Sequence, residues 1–294
     1  MGGTLWRGYD KAALDRQINL RARTPEHVEF FARWAEDSRR VRAAADGRLD
    51  LPYGDQPMQT LDFFPAGKPD APLIAFVHGG YWQSLDKGDF SYLAPPFIEA
   101  GVAYASINYS LAPGATIPQM VDEIEQAIAW LYENAEDLGF DREGIVVAGH
   151  SAGGHLAAMA AVCDWSRRDL PHDLLRGVCA VSGIYQLEPI RLSYQQETLK
   201  LDAAAVGACS PQQRLAALSP ELAPAILLAV GEEEPEEFIE QQGEFLAAWR
   251  GQGLAGAELT LPGRHHFSAI DALGEKGHAL HEALCYLAQN GAIS

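Results

Sequence analysis

The sequence predicts an α/β protein: an open, mostly parallel sheet flanked by helices. Three observations carry this. Short, strongly apolar runs recur at 73–78, 102–109, 145–150, 178–183 and 225–230, and runs of this kind suit strands buried on both faces of a parallel sheet. Helical segments lie between them, and such alternation argues for one sheet with right-handed crossovers. Finally, Gly149-His150-Ser151-Ala152-Gly153 stands where one apolar run ends and an alanine-rich segment begins, as at a sharp strand-to-helix turn.

Taken in order, Thr24-Pro25 reads as an N-cap followed by proline at the first helical position. The helix it opens spans 26–44, where Val28, Phe31 and Trp34 recur at helical spacing opposite a charged face. From Leu51 the texture changes: residues 51–55 are turn-like, and 59–64 alternate like a strand. In 117–135, Val121, Ile124, Ile128 and Leu131 mark an amphipathic helix. The segment 152–162 is helical directly after the serine, 237–251 and 277–289 are amphipathic, and 257–261 is the last strand.

With 294 residues, 48% of them hydrophobic, the chain can bury a full core in one domain. A net charge of −18 disfavours nucleic acid and anionic membrane surfaces. The four cysteines form no CxxC pair, and Cys163 and Cys179 sit in apolar runs that fit buried free thiols. No zinc spacing is present, so no metal or cofactor is expected. Residues 1–15 carry no apolar signal segment, and no apolar stretch approaches ~18 residues. A cytoplasmic protein acting on a small molecule, without a membrane span, is the expectation. The sequence leaves a homodimer open.

The chemistry centres on Ser151. An unactivated serine is a poor nucleophile and must stand clear of the sheet to reach a substrate. Gly149 and Gly153, two residues before and after it, permit the tight turn that achieves this. The helix that follows at once points its positive N-terminal dipole at the site. A glycine-rich turn with an idle serine is the plainer alternative, and the flanking strand and helix argue against it. Acyl transfer also needs donors for the developing oxyanion. His78-Gly79-Gly80 leaves an earlier strand upstream of Ser151, as in the oxyanion element of such hydrolases. The expected donors are the amides of Gly80, Tyr81 and Ala152, with Gly79 allowing the path. His78 is read as a brace for this loop, and His150 as structural.

The serine needs a base, and the base an orienting acid; where a nucleophile stands on such a turn the chain order is Ser, then Asp or Glu, then His, so the acid follows a late strand and the base the last one. Glu232, Glu233 and Glu234 cluster after the run 225–230, although such clusters are commonly solvated loops. His265 and His266 follow the last strand, and either could serve as base; no third ligand stands nearby to make them a metal site.

Several stretches together resemble the arylformamidases, or kynurenine formamidases, of the α/β-hydrolase fold. They are "LPYGD" with "LDFF", "HGGYWQS", "PQMVDEIEQA", "GHSAGGHLAAM", "SGIYQLEPI", "EFIEQQ" and "HHF", covering most of the chain from Leu51 onward. A single domain, 1–294, is expected, with residues 1–50 as a helical extension packing on it or capping it. The resemblance implies Ser151 as nucleophile, Glu234 as acid with Glu233 the alternative, and His266, which immediately precedes a phenylalanine, as base. The family acid is commonly aspartate, whereas this chain has glutamate. The family's tyrosine-aspartate pair is Tyr185-Gln186 here. The expected reaction is hydrolysis of an N-formyl arylamine such as N-formylkynurenine. A formyl group needs almost no acyl pocket, so specificity falls to the leaving-group side, where Tyr81, Trp82 and Tyr185 offer aromatic surface. A carboxylesterase or other small-molecule amidase with the same triad is the alternative. A silent binding module is disfavoured because no nucleophile, base or oxyanion glycine is missing.

Overall fold

The computed structural model describes residues 3–218 and 222–293; residues 1–2, 219–221 and 294 of the expected domain lie outside the described residues. Eight strands form one sheet: β1 (Arg48–Pro52), β2 (Thr60–Phe64), β3 (Ala71–Val77), β4 (Ala103–Ile107), β5 (Phe140–His150), β6 (Gly177–Val181), β7 (Ala225–Gly231) and β8 (Gly256–Leu261). Their spatial order is β1-β2-β4-β3-β5-β6-β7-β8. The pairs β1–β2 and β2–β4 are antiparallel, and every pair from β4 through β8 is parallel. This is the α/β-hydrolase architecture the sequence predicts.

The central strands are apolar because both faces are covered: β3, β4 and β6 are buried at every residue. Helix Ile117–Glu133 starts where its sequence dictates. The Thr116 side chain accepts from the Gln119 amide, the Gln119 side chain answers from the Thr116 amide, and Pro118 occupies the first turn. It buries Ile124, Ile128 and Leu131 on one face. Helix Ala152–Ala161 is buried at all ten positions, seven of them alanine or glycine, which lets it lie close to the sheet. All four cysteines are free thiols, although Cys163 is only half-buried.

Three local expectations fail, each for a physical reason. Helix His27–Ala44 begins after Glu26 with no side-chain cap, because Thr24 already terminates the short helix Leu20–Arg23. Val28 is 58% exposed on the solvent side of that helix while Trp34 is buried, so the apolar stripe is narrower than its spacing suggested. The turn expected over 51–55 starts later: Leu51 and Pro52 end an edge strand, and the chain bends only over 53–55. The strand's pairing with β2 shifts register between Arg48 and Leu51, and Asp50 has φ 56°, which masks the alternation.

Strand register decides where the chemistry sits. Val77 pairs with Gly149, His150 with Val181, Val181 with Ala229, and Gly231 with Leu261. The residues that follow β3, β5, β6, β7 and β8 therefore emerge side by side at the carboxyl edge of the sheet, where open α/β sheets bind ligands.

Candidate active site

Ser151 adopts φ 58° and ψ −120° between β5 and helix Ala152–Ala161. A non-glycine residue held in a sparsely populated conformation costs on the order of 1–3 kcal/mol and persists only where its surroundings impose it. The surroundings do so here. A Cβ on Gly149 would stand 2.1 Å from the Gly153 carbonyl oxygen, and one on Gly153 would stand 2.0 Å from that of Val77. The backbones are in contact, so only glycine fits. The Ser151 amide donates to Val181 at 2.9 Å, anchoring the turn to β6.

The loop after β3 is left-handed at three consecutive residues: Gly80 (φ 108°), Tyr81 (52°) and Trp82 (58°). A Cβ on Gly80 would meet the Ser84 carbonyl at 2.1 Å. His78 braces the loop from beneath. Its ring nitrogens lie 2.8 Å from the Gly79 carbonyl and 3.0 Å from Asn108 Oδ1, and the ring stacks on Tyr109 at 4.4 Å. Burial pushes the His78 pKa down. The Tyr109 hydroxyl donates to the His78 carbonyl at 2.9 Å, and the Tyr81 hydroxyl donates to the Ile18 carbonyl at 2.5 Å. The amides of Gly80, Tyr81 and Ala152 donate to no backbone carbonyl among the described residues.

His266 and Glu234 come together. His266 Nδ1 lies 2.7 Å from Glu234 Oε2, and both side chains are buried. The other carboxylate oxygen accepts from the Gly231 amide at 3.0 Å and from the Ser182 hydroxyl. A carboxylate held on three sides presents one oxygen to the imidazole in a fixed direction. Glu233 is exposed, as is Glu232, whose carboxylate accepts from the Gly263 amide at 3.0 Å. His265 does something else: its Nδ1 accepts from the amides of Phe267 and Ser268, capping the helix His266–Ala269. A ring nitrogen committed to two amides is not free to take a proton from a serine. His150 donates from Nε2 to the His266 carbonyl at 2.9 Å, and its ring centroid stands 4.7 Å from that of His266. Burial, followed by the nearness of His266, holds its pKa well below the ordinary histidine range.

Ser151, His266, His150, Gly80 and Tyr81 line one pocket, closed on the far side by Leu20, Arg21, Phe31 and Trp34 of the N-terminal helices. Two of the expected substrate contacts lie outside this pocket. Trp82 is fully buried beneath the loop, edge-on to His155 at 5.2 Å. Tyr185 is fully buried and stacked on Phe245 at 4.4 Å. Both are core residues, and neither lines the pocket; Tyr81 does. Aromatic residues next to a motif go wherever the core has room, and composition does not reveal which.

Sequence reasoning missed Ser182, which helps fix Glu234, and the pocket wall of Phe31 and Trp34, read only as a helix core face. No sequence signal set Ser182 apart within the run 178–183; the structure gives it φ 53°, a second strained residue at a strand end.

Comparison with known proteins agrees with this architecture. The chain is 32% identical to the kynurenine formamidase of Danio rerio over 291 residues, 95% of this chain and 97% of that one. The chain belongs to the kynurenine formamidase family. The Salmo salar member is 30% identical over 85% of this chain and 84% of its own length. A family model described as BD-FAE matches residues 61–183. Esterase LipC of Mycobacterium tuberculosis is 31% identical over 78% of this chain and 62% of its own. A solved structure from Silicibacter sp. TM1040, proposed to be a thioesterase, superimposes with TM-score 0.80 at 28% identity, covering 94% of this chain and 98% of that one. This family member is thus a hydrolase of the same architecture. Among its described residues no helix is long and apolar enough to cross a membrane.

Proposed function

We propose that this hydrolase cleaves the formamide of an N-formyl arylamine such as N-formylkynurenine, releasing formate and the free arylamine. The observation that carries the reading is the 32% identity to a kynurenine formamidase across 95% of the chain. The contact of 2.7 Å between His266 and Glu234, beside a strained Ser151, supports the same chemistry.

In the proposed cycle Ser151 Oγ attacks the formyl carbon and its proton passes to His266 Nε2. Glu234 accepts from Nδ1–H, fixing the tautomer and stabilising the imidazolium. The amides of Gly80, Tyr81 and Ala152 hold the oxyanion as the tetrahedral adduct forms. The C–N bond breaks as His266 returns its proton to the departing nitrogen. Water, deprotonated by the same ring, then attacks the formyl ester and releases formate and the serine hydroxyl. An arylamine leaves more readily than an alkylamine, and the acyl group is the smallest there is.

The test is kcat/KM on N-formylkynurenine against p-nitrophenyl acetate. Turnover of the formamide by the wild type, abolished in Ser151→Ala, supports the reading. Ready turnover of the ester without the formamide replaces it with a carboxylesterase, the reading favoured by the similarity to esterase LipC.

A further inference from the structure

The space in front of Ser151 is divided. The pocket on the serine is a throat with apolar walls from Leu20, Phe31, Trp34 and Phe267, and only about 20 Å³ of it can be reached by the centre of a water molecule. That suffices for about one or two waters, or a group of similar size. Arg21, Gly80 and Tyr81 line this throat and also a second, wider cleft of about 380 Å³. The cleft wall is polar, carrying Asn19, Gln83, Tyr194 and Gln195. A small acyl group fits the throat, so the remainder of a substrate must pass Arg21 into the cleft.

Arg21 is placed to receive charge there. Its guanidinium lies 5.5 Å from the centre of the Phe31 ring, and one nitrogen donates to Ser84 Oγ at 2.6 Å. The Ser84 hydroxyl donates in turn to the Gly80 carbonyl at 3.1 Å. These contacts orient the head group of this exposed side chain yet leave most of its five donors free. Among the described residues no carboxylate pairs with it, and none lines the throat or the cleft. The nearby Asp15 is occupied by Lys11 at 2.6 Å and by the Tyr194 amide at 2.8 Å. An arginine without an anion, beside the nucleophile of a protein of net charge −18, stands out.

We propose that Arg21 binds a carboxylate on the leaving-group side of the substrate, so that the enzyme selects N-formyl arylamines bearing an acidic side chain over neutral ones. This rests on the formamidase reading for the reaction, but the binding claim stands on Arg21 alone. A planar guanidinium takes a carboxylate through two parallel hydrogen bonds, which fixes orientation as well as charge. Held at the junction of throat and cleft, the anion would anchor the arylamine while the formyl carbon faces Ser151.

The experiment measures kcat/KM of the full chain and of Arg21→Gln on N-formylkynurenine and on neutral N-formyl-2-aminoacetophenone. The ratio between the two substrates is the readout, because any general damage divides out. A fall in that ratio of about 10- to 100-fold in Arg21→Gln, the size expected for a lost charged hydrogen bond, supports the proposal. A ratio unchanged within about twofold overturns it while leaving formamide hydrolysis intact. Should neither formamide be a substrate, the reaction assignment fails separately. The same ratio is then read on the ester pair 4-acetoxyphenylacetate and 4-acetoxyphenylacetamide, where a constant ratio again overturns the role of Arg21.

Discussion

The carboxyl edge of the sheet and the helices of residues 11–44 face each other across Ser151, and they are built on opposite terms. At the sheet edge the backbone itself sets position. Strand register aligns the ends of five strands, glycines sit in contact with neighbouring carbonyls, and Ser151, Glu234 and His266 are all buried. In the N-terminal helices, side chains set position. Helix His27–Ala44 buries only Trp34 and Ser38. It is held by Arg33 on Asp271 at 2.6 Å and by the Trp34 indole on the same carboxylate at 3.2 Å. The Tyr81 hydroxyl on Ile18 is a direct stitch between the two regions. In the proposed mechanism the edge holds the reacting groups, which tolerate little displacement. The helices close the pocket with Leu20, Arg21, Phe31 and Trp34.

The first way to break this comparison is at Ser151, the proposed nucleophile. Ser151→Ala is expected to lower kcat/KM by roughly 10⁴-fold or more with no loss of thermal stability. Residual turnover near the wild-type level would remove the sheet edge as the catalytic region. Glu234→Gln is expected to reduce kcat by about 10³- to 10⁴-fold, because the imidazole loses its anionic partner, whereas Glu233→Gln stays within about twofold. Steady-state kinetics on the two variants decide between the carboxylates.

Gly153→Ala tests the backbone contacts. With a Cβ 2.0 Å from the Val77 oxygen, the elbow must open, and a loss of more than about 3 kcal/mol is expected in urea unfolding. Wild-type stability in that variant would mean the turn is looser than its geometry indicates. Acid sensitivity also belongs to the sheet edge. His155, buried behind the elbow, has its pKa lowered to about 4 by desolvation, and burial lowers those of His78 and His150 too. The unfolded chain takes up these protons below about pH 6.5 while the folded chain resists them. Stability is therefore full above that value and is lost as pH falls toward 4. For His155 the loss is on the order of 2 kcal/mol by about pH 5, seen as a lower urea midpoint. His155→Gln should flatten that part of the slope. At the small end, Val28→Ser on the exposed side of helix His27–Ala44 should change stability by less than about 0.5 kcal/mol.

The sequence by itself determined the sheet and the turn that carries Ser151. Apolar runs of strand length, helical periodicity between them and a G-x-S-x-G spacing are local patterns, and local sterics act on them directly. It also exposed the ingredients near the end of the chain: the three glutamates and the two histidines. Only the tertiary structure showed which of them meet, because that depends on contacts between residues far apart in sequence. Glu234 and His266 meet at 2.7 Å across 32 positions, while His265 turns to cap its own helix. The same limit hid Ser182 behind Glu234 and placed Trp82 and Tyr185 in the core. It also left open whether the helices of the first 50 residues cap the sheet or only pack on it, and the structure places Leu20, Arg21, Phe31 and Trp34 in the pocket wall. Which side chain fills which space is settled by packing over the whole molecule, and no short window of sequence contains that information.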